Sequence, residues 1–346
     1  MNDAINPKQF ARELANWFRE NKRDLPFRKT KDPYKIFLSE LMLQQTQMDT
    51  VIPYYERFIK VFPTITDLAN ASLDDVYKLW QGLGYYRRAK YIHETAKIIR
   101  DEYQGVFPSD LNSIRKLKGV GNYTAGAIHS IAFKQPTPAV DGNVMRVMSR
   151  VLMRDDDIAL TKNMKTIETI LKSYIVHEDP SDFTEGMMEL GALICQKTPK
   201  CNLCPVSKHC LAFKHDKVHL YPYKSKLKEK TIENYYVIVL KENMNVLLRQ
   251  RPSEGLLANM LEFPQYETPS LEIALKQFEE EFNLKVINHL SLNQTIKHVF
   301  THKIWMMHSV IVDVSQHPYT LIPMDQLPKA MSKAHLKIMS LLKVKT

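Results

Sequence analysis

The only cysteines of this 346-residue chain, Cys195, Cys201, Cys204 and Cys210, fall within sixteen residues, with five, two and five residues between successive thiols. Four thiolates from one short segment can satisfy an iron-sulfur cluster or a tetrahedral zinc, and either would hold a loop that cannot pack a core of its own. Disulfides fit poorly. Met1 to Phe10 is polar and lacks the apolar run of a signal peptide, so no oxidising compartment is implied. Zinc sites usually present two close cysteine pairs, whereas here only Cys201 and Cys204 are close, and this spacing leans toward a four-iron cluster.

With 44% apolar and 25% charged residues and no stretch resembling a membrane span, the chain is expected to be soluble and intracellular, a cytoplasmic, nucleoid-associated protein without a membrane partner. A formal charge of +10 favours a polyanionic partner, because Lys and Arg that neutralise phosphates release condensed counterions. A merely solvated basic surface would show the same charge, so motifs have to decide.

From Pro7 to about Leu211 apolar positions recur at three- and four-residue spacing, and the breaks carry Pro, Gly, Asp or Ser, which predicts an all-helical domain over residues 1–212. Residues 213–231 are rich in Lys, His, Tyr and Pro (His215, Lys217, His219, Lys224, Lys230) and suit an exposed linker. Beyond it, Tyr235 to Leu240, Val246 to Arg249 and Ile304 to Val314 are short apolar or β-branched runs, while Leu271 to Phe282 has helical spacing, so 232–346 is expected to be an α+β domain.

Three segments carry chemistry. In Leu117-Lys118-Gly119-Val120-Gly121-Asn122-Tyr123, two glycines around one apolar residue allow a sharp turn between helices and leave backbone N–H groups at a helix start open to a phosphate. That suits a grip on one DNA strand without reading bases, although Gly-x-Gly alone is more often an ordinary turn. Val140-Asp141-Gly142-Asn143 opens a further helix, with Asp141 in the positive end of its dipole; alone it would be a plain N-cap. Asp32-Pro33 starts a helix to Leu43 in which Glu40 shares its face with Ile36, Phe37 and Leu43. A carboxylic acid among apolar neighbours has its pKa raised, and two carboxyls in contrasting environments make the acid and anion pair that cleaves glycosidic bonds. The spacing does not establish that the two meet.

Leu38 to Thr46, Trp80-Gln81-Gly82-Leu83-Gly84-Tyr85-Tyr86-Arg87-Arg88-Ala89 and Ala139 to Arg146 resemble, nearly letter for letter, the signatures of helix-hairpin-helix DNA glycosylases with an iron-sulfur loop, and among these the MutY-type adenine DNA glycosylases. The resemblance covers nearly the whole chain. It implies a helix-hairpin-helix glycosylase domain followed by a Nudix-like domain, a [4Fe-4S] cluster on the four cysteines, and a monomer that acts on duplex DNA carrying adenine opposite 8-oxoguanine or guanine. Glu40 is then expected to protonate N7 of a flipped adenine, Asp141 to stabilise the sugar cation directly or through a transient adduct, and Tyr123 and Asn143 to hold the carboxylates and the attacking water. Arg28 and Glu185 match positions that bind the adenine edge, with Leu25 and Phe27 beside the pocket. Gln45, Leu83 and Tyr85 match the wedge that fills the vacated stack, and Lys118, Gly119, Val120 and Gly121 the backbone-gripping hairpin.

In the similar endonuclease III type, a Lys whose amine attacks the sugar stands where this chain has Tyr123, so the lyase route lacks its nucleophile. Phe300, Thr301 and His302 resemble the loop that contacts 8-oxoguanine, and Leu275 to Glu281 keeps acids without the Arg-Glu pattern of a hydrolytic Nudix helix. The family commonly spaces its first two cluster cysteines by six residues, uses Ser where Thr301 stands and Pro where Lys118 stands; each is a departure here. Two other expectations compete: an endonuclease III or thymine-mismatch enzyme with lyase chemistry, and an idle DNA-binding protein on the same scaffold.

Overall fold

Helix starts fall where the sequence places capping side chains. The computed structural model describes residues 5–225, 229–300, 302–328 and 330–344. Its helices are α1 (Pro7–Asn21), α2 (Pro33–Leu43), α3 (Met48–Val61), α4 (Ile65–Asn70), α5 (Leu73–Trp80), α6 (Arg87–Glu102), α7 (Leu111–Lys116), α8 (Asn122–Ile131), α9 (Gly142–Val151), α10 (Thr161–Ile175), α11 (Pro180–Leu193), α12 (Leu211–Lys214), α13 (Leu271–Phe282) and α14 (Lys333–Val344). Asn6, Asp32, Thr64, Ser72, Asp110, Asp141, Asp179 and Ser270 each accept a backbone N–H of the first turn they precede, meeting donors that the helix itself cannot. Among the described residues no helix is long and apolar enough to cross a membrane.

Packing divides the chain into two units, Met1–Ala71 with Lys90–Lys226 and Ser72–Ala89 with Leu227–Thr346. In the first, Phe10, Leu14, Val144, Met148, Leu171, Phe183 and Leu190 from α1, α9, α10 and α11 share one core. The segment expected to be an exposed linker is not free over its first half. Tyr221 is buried, its carbonyl accepts from the buried Arg150 at 3.0 Å, and the Tyr223 carbonyl accepts from Ile158 N at 3.1 Å. The polar composition of 213–225 reflects its outward side chains, while its backbone is tied to the helical unit.

In the second unit, β1 (Thr231–Glu242), β2 (Asn245–Val246), β3 (Arg249–Gln250), β4 (Leu261–Glu262), β5 (Gln265–Tyr266), β6 (Val286–Val299), β7 (Lys303–Val314) and β8 (Ile322–Pro323) follow in order. The larger sheet runs β6-β7-β1-β2-β8, with β5 also on β1 and β3-β4 forming a separate pair. β1 and β7 are parallel, from Thr231↔Lys303 to Leu240↔Val312. Alternation along β1 sends Val237 and Val239 to a core shared with Ile338 and Leu342 of α14, and Ile238 and Leu240 to one shared with Ala274 and Phe278 of α13. A strand covered on both faces has to be apolar throughout, which is why Tyr235 to Leu240 reads as an unbroken run. The run Val246 to Arg249 proves to be two short strands with different partners, β8 and β4.

Candidate active site

α2 is buried nearly all round, from Tyr34 and Ile36 through Met42, so the register of an apolar helix carries Glu40 into the interior. Gly121 precedes α8 and offers its first turn no side-chain cap, and Tyr123 stands in that turn. Gly126 lets α8 lie against the chain leading to Asp141, since a Cβ at that position would sit 2.4 Å from the Pro138 carbonyl oxygen. Asp141 ends that approach as the cap of α9, accepting from Val144 N and from Asn143 Nδ2, both at 2.8 Å.

These three elements bring together Glu40, Tyr123 and Asp141, which are far apart in sequence. The Tyr123 hydroxyl hydrogen bonds to the Glu40 carboxyl and lies 3.7 Å from Met188 Sδ. Burial pushes the Glu40 carboxyl up to about 7; the Tyr123 bond and the Arg28 charge restrain it, and the charges of Asp141 and Glu185 add to the rise. Burial, and then the charges of Glu40 and Asp141, hold the Tyr123 phenol well above its ordinary range, so it stays a neutral donor. Glu40 is thus a protonatable acid at neutral pH set beside Asp141, whose carboxyl is hydrogen-bonded at the head of α9, two contrasting environments of the kind that glycosidic cleavage uses.

Arg28 closes the 3-10 turn Pro26–Arg28 and is nearly buried, with Nε 3.6 Å from Glu185 Oε1. Leu25 and Phe27 are buried beside it, Phe27 edge-on to Tyr55 at 5.7 Å. Residues absent from the sequence-based site complete the arrangement. Lys31 Nζ donates to Glu185 at 3.0 Å and to Ser181 at 2.7 Å, and Glu189 accepts from Arg23 Nη2 at 2.8 Å and Arg28 Nη2 at 2.6 Å. Glu185 and Glu189 lie four apart on α11 and share a face, a signal the sequence did offer. Arg146, three residues after Asn143, donates to Asn143 Oδ1 at 2.8 Å and to the Cys195 carbonyl at 2.7 Å, so Asp141 and the cysteine segment are joined by one chain of hydrogen bonds.

The turn Lys118 to Gly121 is exposed at both ends, with Gly119 at φ +77° and the Lys118 carbonyl accepting from Thr95 at 3.1 Å. Gln45, just past α2, is exposed and held at φ +56°; left-handed backbone in a non-glycine residue recurs at functional positions. In the second unit Leu83 is buried and Tyr85, at φ +50°, is 47% exposed. Phe300 turns β6 into β7, its ring 4.6 Å from His298 and 4.8 Å from Trp305, while His302 is exposed. Thr301 lies outside the described residues.

All four cysteines line one pocket, with Val147, Val151, Leu190 and Val206 among its apolar walls. The buried Arg150 donates to Cys195 Sγ at 3.3 Å. Burial pushes the Cys204 thiol up to about 12 and Cys210 up to about 11, so thiolates there call for a cationic centre. Four thiols around one apolar-walled pocket are the donor set an iron-sulfur group takes, although among the described residues they are not drawn into a closed metal-binding cluster.

Residues 38–173 match the model of the HhH-GPD superfamily base excision DNA repair protein, and residues 235–341 that of the NUDIX domain. Fold and site define the class: a base excision DNA repair enzyme of the HhH-GPD superfamily that also carries a NUDIX domain. A thermostable thymine-DNA glycosylase resembles 60% of this chain over 97% of its own (TM-score 0.55, 28% identity), and an endonuclease III–DNA covalent intermediate 62% over 99% (TM-score 0.52, 25% identity). The adenine DNA glycosylase of Buchnera aphidicola subsp. Schizaphis graminum is 33% identical over 88% of each chain, and that of Homo sapiens 32% identical over 93% of this chain and 70% of its own. The chain belongs to the adenine DNA glycosylase family.

Proposed function

We propose that the enzyme hydrolyses the N-glycosidic bond of adenine paired with 8-oxoguanine or guanine in duplex DNA and leaves the abasic strand intact. The observation that carries this reading is the buried Glu40 carboxyl, protonatable near pH 7 and bonded to Tyr123 at the position where a lyase needs an amine. In the mechanism, Glu40 donates its proton to N7 of the flipped adenine, which then departs neutral. Asp141 offsets the charge that develops on the sugar as the C1′–N9 bond breaks, with Asn143 fixing its orientation, and a water held by Tyr123 and Asn143 then bonds to C1′ and gives up a proton to the Asp141 carboxylate and on to solvent. Arg28 and Glu185 offer a donor and an acceptor to the adenine edge, and the Gly119 to Gly121 turn takes a phosphate.

Gln45, Leu83 and Tyr85 fill the vacated stack, and Phe300, Thr301 and His302 contact the opposite base. A covalent lyase would be trapped on DNA by borohydride; no trapped adduct is expected here, and trapping in high yield would contradict the reading. His302→Ala is expected to reduce the preference for 8-oxoguanine over guanine while leaving the maximal rate unchanged. Equal losses on both pairs would remove His302 from base reading. Phe300→Ala should do the same with some loss of stability, because its ring also packs on Trp305.

Cys195, Cys201, Cys204 and Cys210 would hold a [4Fe-4S] cluster, which when bound fixes the loop between α11 and α12. That loop carries Lys197 and Lys200 on its exposed surface, placed for phosphate contacts. Cys204→Ala is therefore expected to lower iron content and weaken DNA affinity by about tenfold or more, with less effect on the helical core. Unchanged iron and an unchanged Kd would refute this role.

A further inference from the structure

Glu189 is a fully buried carboxylate that the mechanism above does not use, with a side-chain exposure of 0%. Its Oε1 accepts the Arg23 backbone N–H at 3.1 Å and Arg23 Nε at 2.8 Å, and its Oε2 accepts Arg23 Nη2 at 2.8 Å and Arg28 Nη2 at 2.6 Å. Four donors from two arginines saturate one carboxylate. Arg28 is pinned further by the Arg23 carbonyl at 3.4 Å and by the Phe18 ring, 5.4 Å from its guanidinium carbon. Its Nε edge is left toward Glu185, at 3.6 Å, and Glu185 is itself held by Lys31 and Ser181, each at 3.0 Å.

We propose that Glu189 is a positioning residue for base excision: it holds Arg23 and Arg28 as a fixed cationic pair, and so sets both the edge Arg28 presents to the base and the charge that reaches Glu40. The proposal rests on the reading of Glu40 as the acid and Arg28 as a base contact. Without Glu189, Arg28 has Glu185 as its remaining acidic partner, and a bidentate turn onto it would use up the edge meant for substrate.

Charge gives the second half of the argument. Arg23, Arg28 and Lys31 set three cations against the two carboxylates Glu185 and Glu189, a net of +1. The side chains that act most on Glu40 are Tyr123 from α8, Asp141 at the head of α9, Glu185 from α11 and Arg28, whose positive charge favours the ionised carboxyl; Glu189 and Arg23 reach it through Arg28, which both of them fix. Burial works to raise the Glu189 carboxyl itself, but the hydrogen bonds from Arg23 and Arg28 override it and hold it down to about 2, so it stays charged wherever the enzyme works. Neutralising it leaves a net of +2 beside Glu40 and makes the acid ionise earlier.

The test is single-turnover adenine release from an adenine:guanine duplex as a function of pH for the wild type, Glu189→Gln, Glu189→Asp and Arg23→Gln, with a melting curve for each. Glu189→Gln is expected to move the alkaline limb of the rate down by about half to one pH unit, which slows the reaction roughly three- to tenfold above the limb. Glu189→Asp, which keeps the charge, should leave the limb in place. Arg23→Gln, which removes a cation, should move it up. Should Glu189→Gln fail to fold, the opposite-signed shift in Arg23→Gln still decides the matter. An unmoved limb in the folded variants, with rates falling only in step with the folded fraction, would reduce Glu189 to a scaffold residue. A wild type that releases no adenine would instead remove the base-excision reading itself.

Discussion

Glu40→Gln is expected to slow adenine release by roughly 10²- to 10⁴-fold, the range that a positioned general acid contributes. The amide matches the carboxyl in shape and still accepts from Tyr123, so duplex affinity should stay near wild type. The same substitution should stabilise the protein at alkaline pH. A carboxyl whose folded pKa is raised to about 7 from the ordinary 4.5 binds its proton more tightly when folded. Its contribution is therefore fully present below pH 4.5 and is lost as pH rises toward and through 7. By pH 8.5 the wild type should have lost on the order of 3 kcal/mol through Glu40. Glu40→Gln does not titrate, so it should melt higher than wild type at pH 8.5 and about equally at pH 5. Thermal melts at both pH values, beside single-turnover rates, check the two halves separately. A variant that keeps its rate, or that melts lower than wild type at pH 8.5, would show that Glu40 is not a buried acid held against its preference. The wild-type rate should likewise fall as pH rises through about 7, because the proton Glu40 must give is gone.

Asp141→Asn isolates charge from architecture. Asparagine caps a helix about as well as aspartate, so the bond to Val144 N survives and stability should change by less than about 0.5 kcal/mol. What disappears is the negative charge opposite the developing sugar cation. Preorganised charge of this kind is worth roughly 10²- to 10³-fold in rate. A rate within threefold of wild type would mean that Asp141 is only a cap, the plain reading its position invites; a matching drop in melting temperature would point to the same conclusion.

The parts of the site that were legible in sequence are those with local signals. Asp32-Pro33 marks the start of α2, and the apolar neighbours of Glu40 announce its burial before any fold is known. Leu271 to Phe282 reads as a helix because Ala274, Phe278 and Phe282 repeat at four residues on one face. β6 carries no such signal. Between Val286 and Val299 only Leu292 and Ile296 are buried, and a strand that is wet on most of its length shows no apolar alternation. The meeting of Glu40 with Tyr123 and Asp141 is a tertiary fact, made possible by Gly126 against Pro138 and by the capping geometry of Asp141. Arg23 and Glu189 went unread for the same reason: 166 positions separate them, and each alone looks like an ordinary surface charge. Residues 213–225 read as a linker because their side chains are polar and mostly exposed, and no side-chain pattern signals that the Tyr221 and Tyr223 carbonyls serve Arg150 and Ile158.

The most direct test is single-turnover reaction with a duplex carrying adenine opposite 8-oxoguanine, run with and without alkali before separation, beside an adenine:thymine control. Strand breaks that appear only after alkali, and only in the mispaired duplex, are the predicted result. Breaks without alkali would mean a nucleophile other than the missing lysine, and no breaks under either condition would leave a DNA-binding protein with an idle pair of carboxyls.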